Sequence, residues 1–245
     1  VPEAWMPAVG RLRNGQDGGP AGTGAPRVVW QATESDPHAV SARSAAERLH
    51  ADGLDVHLVW NPVTGETVQM LPATTAGLGL RGDGGDPGPG REGRVCLQIK
   101  VVAQSARPFT AGPLLGLDPI MRWIDSWAVV RRWRGGPPMA APSAYDDPGS
   151  LRLWALGGHF GHSQVPGRTA MGPGSVDISK IIGPAPAAPS PALPTFSTRP
   201  HHHSGNGHAN GRLRTAAGEG QRKEHHLLDH GARIPVSSAA DRGGD

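Results

Sequence analysis

The chain changes character at Gly183, and that break limits what can fold. Residues 183–200 read GPAPAAPSPALPTFSTRP, a Pro/Ala run that favours extended, polyproline-like backbone over any packed element. Residues 201–245 are polar, Gly-rich and poor in large apolar side chains. Burial there cannot offset the entropy of ordering the chain. A core has to come from the residues before 184. We therefore expect a loose N-terminal arm at 1–26, a folded domain at 27–183, a Pro/Ala-rich linker at 184–200 and a disordered, His-containing tail at 201–245. Gly and Pro, 36 and 25 of 245 residues, make a quarter of the chain, so the folded part also carries long loops.

Within 27–183 the apolar pattern alternates between strand and helix signals. The run RVVW at 27–30 predicts a buried strand. Ser35 or Asp36, with Pro37 behind it, predicts a helix start. That helix runs to about residue 52, with Val40, Ala45 and Leu49 on one face. HLVW at 57–60 and ETVQML at 66–71 predict two strands joined by the Asn61-Pro62 and Thr64-Gly65 turn. Residues 77–94 are Gly-dominated loop, and RVCLQIKVV at 94–102 is the longest strand-like run. Leu114, Leu117, Ile120, Trp123, Ile124 and Trp127 recur at helical spacing and predict a helix within 113–130. Residues 134–150 read as loop, and 176–182 as a short apolar closing element. The order predicts an α/β fold, a mixed central sheet flanked by helices.

Charge and composition exclude several classes. Lys and Arg number 24 against 21 Asp and Glu, with no strongly basic run, so nucleic acid is excluded as a partner. The single Cys96 excludes an internal disulfide and a Cys-rich zinc module. No apolar run approaches the length of a membrane-spanning helix. The opening VPEAWMPAVGRLRNGQDGG lacks a charged start followed by an apolar stretch, so no secretory signal is expected in it. The expectation is a monomer that stays in the cytoplasm until released, or acts at the cell wall. Seven of the twelve His lie beyond residue 200, a tract of the kind that holds transition metals loosely. Arg81-Gly82-Asp83 is the RGD tripeptide, which a Gly-rich chain produces by chance.

Residues 158–177, GHFGHSQVPGRTAMGPGSVD, carry the chemical signal. They resemble the last active-site segment of the zinc-dependent N-acetylmuramoyl-L-alanine amidases, the type-2 family that also includes peptidoglycan recognition proteins. In that family the segment reads roughly G-H-S-x-V-(A)-P-G-x-[KH]-x-D-P-G, and Gly161, His162, Ser163, Val165, Pro166, Gly167, Pro173 and Gly174 match its frame. The string HLVWNPVTGETVQMLP at 57–72 is similar to the family's hairpin, and the strands at 27–30 and 94–102 resemble those of an actinobacterial and phage-associated branch. The resemblance covers about 27–180. It implies a type-2 amidase-like fold, zinc as cofactor, and peptidoglycan or muropeptides as partner.

The same resemblance points to substitutions at the catalytic places. The first zinc ligand corresponds to Gln31, the second to His162, which is retained, and the third, an Asp, to Gly172. The acidic residue of the long strand corresponds to Lys100, and the Lys or His that works on the transition state corresponds to Ala170. The Tyr that some members carry before the hairpin His corresponds to Val56. Catalytic zinc needs about three protein ligands and an open place for water. It brings that water's pKa down to about 7. Gln is a weak neutral ligand, Gly has no side chain, and Lys100 adds a cation beside the metal. Glu34, His57 and His159 are further candidates for lining the substrate cleft. The alternatives are capping of a helix start for Glu34 and packing for His57. Ser163 lacks the placed Asp and the sharp elbow of a serine nucleophile.

Three functions follow as expectations. The first is a peptidoglycan-directed amidase relative with impaired catalysis, a cell-wall binder or a decaying enzyme. The second is an active zinc amidase cutting the bond between N-acetylmuramic acid and L-alanine, as an endolysin or autolysin, with His159, His162 and a carboxylate elsewhere as ligands. The third is a non-enzymatic interaction protein using the Pro-rich segment.

Overall fold

The computed structural model describes residues 2–12, 14–81, 88–139, 148–167, 170 and 172–183. The linker and tail expected beyond 183 lie outside the described residues. Six strands, β1 (Gly10–Arg11), β2 (Arg27–Ala32), β3 (Leu58–Trp60), β4 (Thr67–Gln69), β5 (Cys96–Val101) and β6 (Gly158–Gly161), form one sheet in the order β1-β4-β3-β5-β2-β6. The β3–β4 hairpin is antiparallel, and every other neighbouring pair is parallel. Four helices accompany it: α1 (Ala42–Ala51), α2 (Leu117–Ser126), α3 (Pro148–Ala155) and α4 (Ile178–Ile182). The sheet is therefore mixed and flanked by helices, as the apolar pattern predicts.

Both faces of the central strands are buried, which is why β2 and β5 read as near-continuous apolar runs. On one face Val28 and Trp30 of β2, Trp60 of β3 and Ile99 of β5 pack with Phe109 and the α2 residues Ile120, Trp123 and Ile124. On the other, α1 lays Ala42, Ala45 and Ala46 against Val59 and Val68. Trp154 of α3 packs there with Val29, Cys96 and Phe160, its ring 4.9 Å from the Phe160 ring.

Three local readings change in three dimensions. The first helix starts at Ala42, because Ser41 Oγ accepts from Ser44 N and the Glu66 carboxylate takes the Ala42 and Arg43 amides. Asp36 instead closes a turn on His38 N. Residues 148–150, the end of the stretch expected as loop, open helix α3. The described residues of 2–24, expected as a loose arm, are tied to the domain, with residues 10–12 along β4 and residues 18–24 bonded to residues 76 and 91–94. There β1 pairs with β4, Met6 is buried with its amide on Gln69 Oε1, and Trp123 Nε1 donates to Glu3 O at 2.9 Å. The edge strand is then β1, which at two residues offers little template for further pairing. Among the described residues no helix is long and apolar enough to cross a membrane.

Candidate functional site

Strands β5, β2 and β6 run parallel, so their C-terminal ends open at the same edge, where ligands of open α/β sheets bind. Register places Lys100 opposite Gln31. Trp30 pairs with Gly161, so Gln31 stands next to His162, the first residue after β6. Ser163 N donates to Gly172 O at 2.8 Å, and a Cβ on Gly172 would lie 3.0 Å from Ala32 N and 3.6 Å from Gln31 Cα. Four positions that are 31, 100, 162 and 172 in sequence thus meet at one place. Ala170 is half-buried, and its neighbours 168, 169 and 171 lie outside the described residues.

The chemistry at this place is that of an amide and an ammonium. Gln31 is fully buried, and neither its Oε1 nor its Nε2 has a hydrogen-bond partner among the described residues. Its Oε1 faces residue 79, where a Cβ would come within 3.3 Å of it, 2.9 Å of Gln98 Oε1 and 2.6 Å of Val56 Cγ1, so only Gly fits there. Lys100 is half-buried. Its Nζ donates one long hydrogen bond, 3.4 Å, to Ala32 O. Burial pulls its pKa down to about 8, opposed by the nearby charge of Glu34. Glu34 itself, at φ 56, turns its carboxylate onto Ser105 N and Oγ and caps no helix.

The two remaining candidate histidines are interior groups. His57 is fully buried; its Nδ1 accepts from Gln98 N and its Nε2 donates to Thr75 O at 3.0 Å, which fixes a neutral ring. Burial lowers its pKa to about 4. His159 lies on the α2 face of the sheet, stacked on Trp30 and tilted against Trp133, with Nδ1 accepting from Trp30 Nε1. Burial lowers its pKa to about 3. Trp30 and Gln31 are successive residues of β2 and point to opposite faces, so His159 and Gln31 lie on opposite sides of the sheet.

Zinc does not fit the donor set at 31, 100, 162 and 172. One imidazole, one neutral amide, an ammonium and a glycine supply neither three ligands nor a negative charge. Among the described residues no group of three or more His, Cys, Asp or Glu side chains converges elsewhere. The tail histidines and residues 82 and 83 of the RGD tripeptide lie outside the described residues.

Sequence reasoning missed Gln98 and Gln164. Gln98 Nε2 donates to Gly77 O, pinning the Gly-rich loop over the site. Gln164 Oε1 accepts from Trp133 Nε1 and Gly161 N, and its Nε2 reaches Gly135 O and Gly136 O. It locks the turn after β6 to the preceding loop. Nothing in the spacing of either residue marks that role. A groove of about 290 Å³, lined by Asp36, His38, Pro62, Gln104, Arg107 and Phe109, lies beyond the ends of β2, β3 and β5. A larger pocket of about 480 Å³ sits between the N-terminal segment and α2 and touches none of the four positions.

No family model and no curated protein matches this chain. Among solved structures it is similar to the Ph2119 endolysin from the Thermus scotoductus MAT2119 bacteriophage Ph2119, at 15% identity over 67% of this chain and 88% of that one, with a TM-score of 0.37. It is also similar to the endolysine N-acetylmuramoyl-L-alanine amidase LysCS from Clostridium intestinale URNW, at 13% identity over 73% and 95% of the two chains, with a TM-score of 0.39. A third is PGRP-Hd from Alvinella pompejana, at 10% identity over 49% and 78%, with a TM-score of 0.33. At these scores the likeness by itself defines neither fold nor function.

Proposed function

We propose that this chain is a peptidoglycan-directed protein of the amidase type that binds cell wall or muropeptides and does not hydrolyse them. One observation carries the reading. The positions that the sequence resemblance assigns to catalysis come together at the ends of β5, β2 and β6, yet they hold Gln31, Lys100, His162 and Gly172. A place assembled this closely, with a donor set unsuited to zinc, supports a groove that outlived its chemistry. A groove beyond the strand ends, bordered by Asp36, His38 and Arg107, offers charge to a sugar–peptide ligand, and none of the four positions lines it.

The test is co-sedimentation of the full chain with insoluble peptidoglycan, alongside an assay for newly released L-alanine amino termini in added zinc. Retention on the wall without release above background is expected. Release at a rate that grows with zinc would establish the active amidase instead. Failure to sediment with the wall would remove the peptidoglycan reading and leave the interaction-protein alternative.

A further inference from the structure

We infer that Trp5, Arg11, Asn14 and Asp17 form a saccharide site, separate from the place at 31, 100, 162 and 172, that takes uncharged N-acetylhexosamine units of a glycan strand. The choice of wall glycan rests on the proposed function, whereas the site stands on its own geometry. A pocket of about 650 Å³ lies between the N-terminal segment and residues 70–72, which follow β4. Small-molecule sites measure about 300–1,000 Å³. β4 runs antiparallel to β3 with Gln69 opposite Leu58, so the end of β4 lies beside the start of β3. β3, β5, β2 and β6 are parallel, and the four positions gather where those strands end. The pocket therefore opens at the opposite end of the sheet. It shares no lining residue with the groove beside Arg107.

A sugar ring asks two things of a site: a flat aromatic surface for its C–H face, and polar side chains for the hydroxyls around its rim. Trp5 supplies the first. Its ring is half-buried, and its indole N–H bonds to none of the described residues. Packed tryptophans find a partner for that group. Five of the other six do so here, Trp30, Trp60, Trp123, Trp133 and Trp154. The polar rim is equally uncommitted. Arg11 rests its guanidinium 4.8 Å from the centre of the Trp5 ring and joins no ion pair among the described residues, which leaves its N–H fork for a ligand. Asp17 spends Oδ1 on Gly19 N and keeps Oδ2 as an acceptor. Asn14, exposed at φ 66, adds an amide donor and acceptor. Below them, Met70 and Leu71 form a buried apolar floor. The charges of Arg11 and Asp17 offset each other, so the set suits hydroxyl and acetamido groups better than a charged ligand. A glycan strand is a polymer. A second foothold at the far end of the sheet makes the later contact intramolecular and raises retention on the wall without tightening either contact.

The test is a calorimetric titration of the full chain with the tetramer of N-acetylglucosamine, beside co-sedimentation with insoluble peptidoglycan. We expect saturable binding of the tetramer. Trp5→Ala should weaken it by about tenfold or more, and Trp5→Tyr, which keeps a stacking ring, should hold it within about threefold. Asn14→Gly, which preserves the left-handed backbone, and Asp17→Asn should each weaken it. Wall retention of Trp5→Ala should fall without vanishing. Absence of tetramer binding in the unaltered chain overturns the inference, as does unchanged binding in a folded Trp5→Ala. Should that variant loosen the N-terminal segment, the two exposed positions decide, and full binding in both Asn14→Gly and Asp17→Asn overturns the inference. Wall sedimentation without tetramer binding removes this inference alone. Tetramer binding without wall sedimentation keeps the saccharide site and removes the wall-binding function.

Discussion

Two successive residues of β2 face opposite sides of the sheet and meet opposite physics. Trp30 looks toward α2 and is enclosed by Trp60, Phe109 and His159, with ring centroids 6.2–6.4 Å away and its Nε1 on His159 Nδ1. Gln31 looks the other way, equally buried, and satisfies neither end of its amide among the described residues. Gln98 Oε1 on the neighbouring strand shares that condition. One side is packed as a core, with apolar surface and a matched hydrogen bond. The other keeps polar groups inside a close-fitting, glycine-lined space at a cost of about 1–3 kcal/mol for each unmet group. His159 Nε2 on the first side is also unmet among the described residues, so the contrast is between an unmet ring nitrogen enclosed by aromatic packing and unmet amide groups gathered around Gly79.

The largest way to break the comparison is Trp30→Ala. It removes a fully buried aromatic and strands His159 Nδ1, so we expect a loss of about 3–5 kcal/mol in urea unfolding. A loss below about 1 kcal/mol would deny the α2 face its role as the core.

Acid should act next. The unfolded chain protonates its histidines near 6.5, whereas the native His57 and His159 resist until about 4 and about 3. Their folded values are depressed, so the stability they carry is complete above pH 6.5 and falls away as the pH drops toward 4. For His57 alone that amounts to roughly 3 kcal/mol. Urea midpoints at pH 7, 5.5 and 4 should decline steeply, and His57→Gln should flatten the decline; a pH-independent midpoint over that range would contradict the buried neutral rings.

Gly79→Ala should cost about 1–3 kcal/mol through overpacking, since the added methyl meets Val56 Cγ1 and Gln98 Oε1 at 2.6 and 2.9 Å. An unchanged midpoint would mean the loop has room to withdraw from the site. Gln31→Leu is the smallest and most telling change. Removing an unmet amide should leave stability unchanged or raise it by about 1 kcal/mol, the opposite sign to its neighbour. Destabilisation beyond about 2 kcal/mol would show that the amide is satisfied in solution.

The core side of this comparison was legible in sequence. Val28, Trp30, Ile99 and the Ile120–Trp123–Ile124 spacing give strand and helix periods that only a packed face requires. β6 was not legible, because GHFG has a single large apolar residue and becomes a strand through pairing with β2. β1 is two residues long and exists because β4 offers an edge. α3 hides inside a Pro- and Gly-rich stretch, although Trp154 is its anchor. The start of α1 was misplaced because Asp36 and Ser41 are both competent caps, and the Glu66 carboxylate, 24 residues from Ala42, favours the second. At the site, the positions 31, 100, 162 and 172 were marked only by the family resemblance. Spacing alone gives no reason to group them, because register and a chain return create their proximity. The burial of His57 and His159 was likewise set by tertiary packing.

Positions 31, 100, 162 and 172 converge, and their side chains are poor ligands for zinc. Competitive zinc titration of the unaltered chain and of Gln31→His/Gly172→Asp reads both properties at once, with the tail histidines common to the two. An Asp Cβ at 172 needs a shift of a few tenths of an ångström near Ala32 N, which the strand end can give. We predict that the double variant gains one zinc site per chain, at least a hundredfold tighter than anything in the unaltered chain. A tight stoichiometric site already present in the unaltered chain, or a folded double variant with no gain, would contradict the claim.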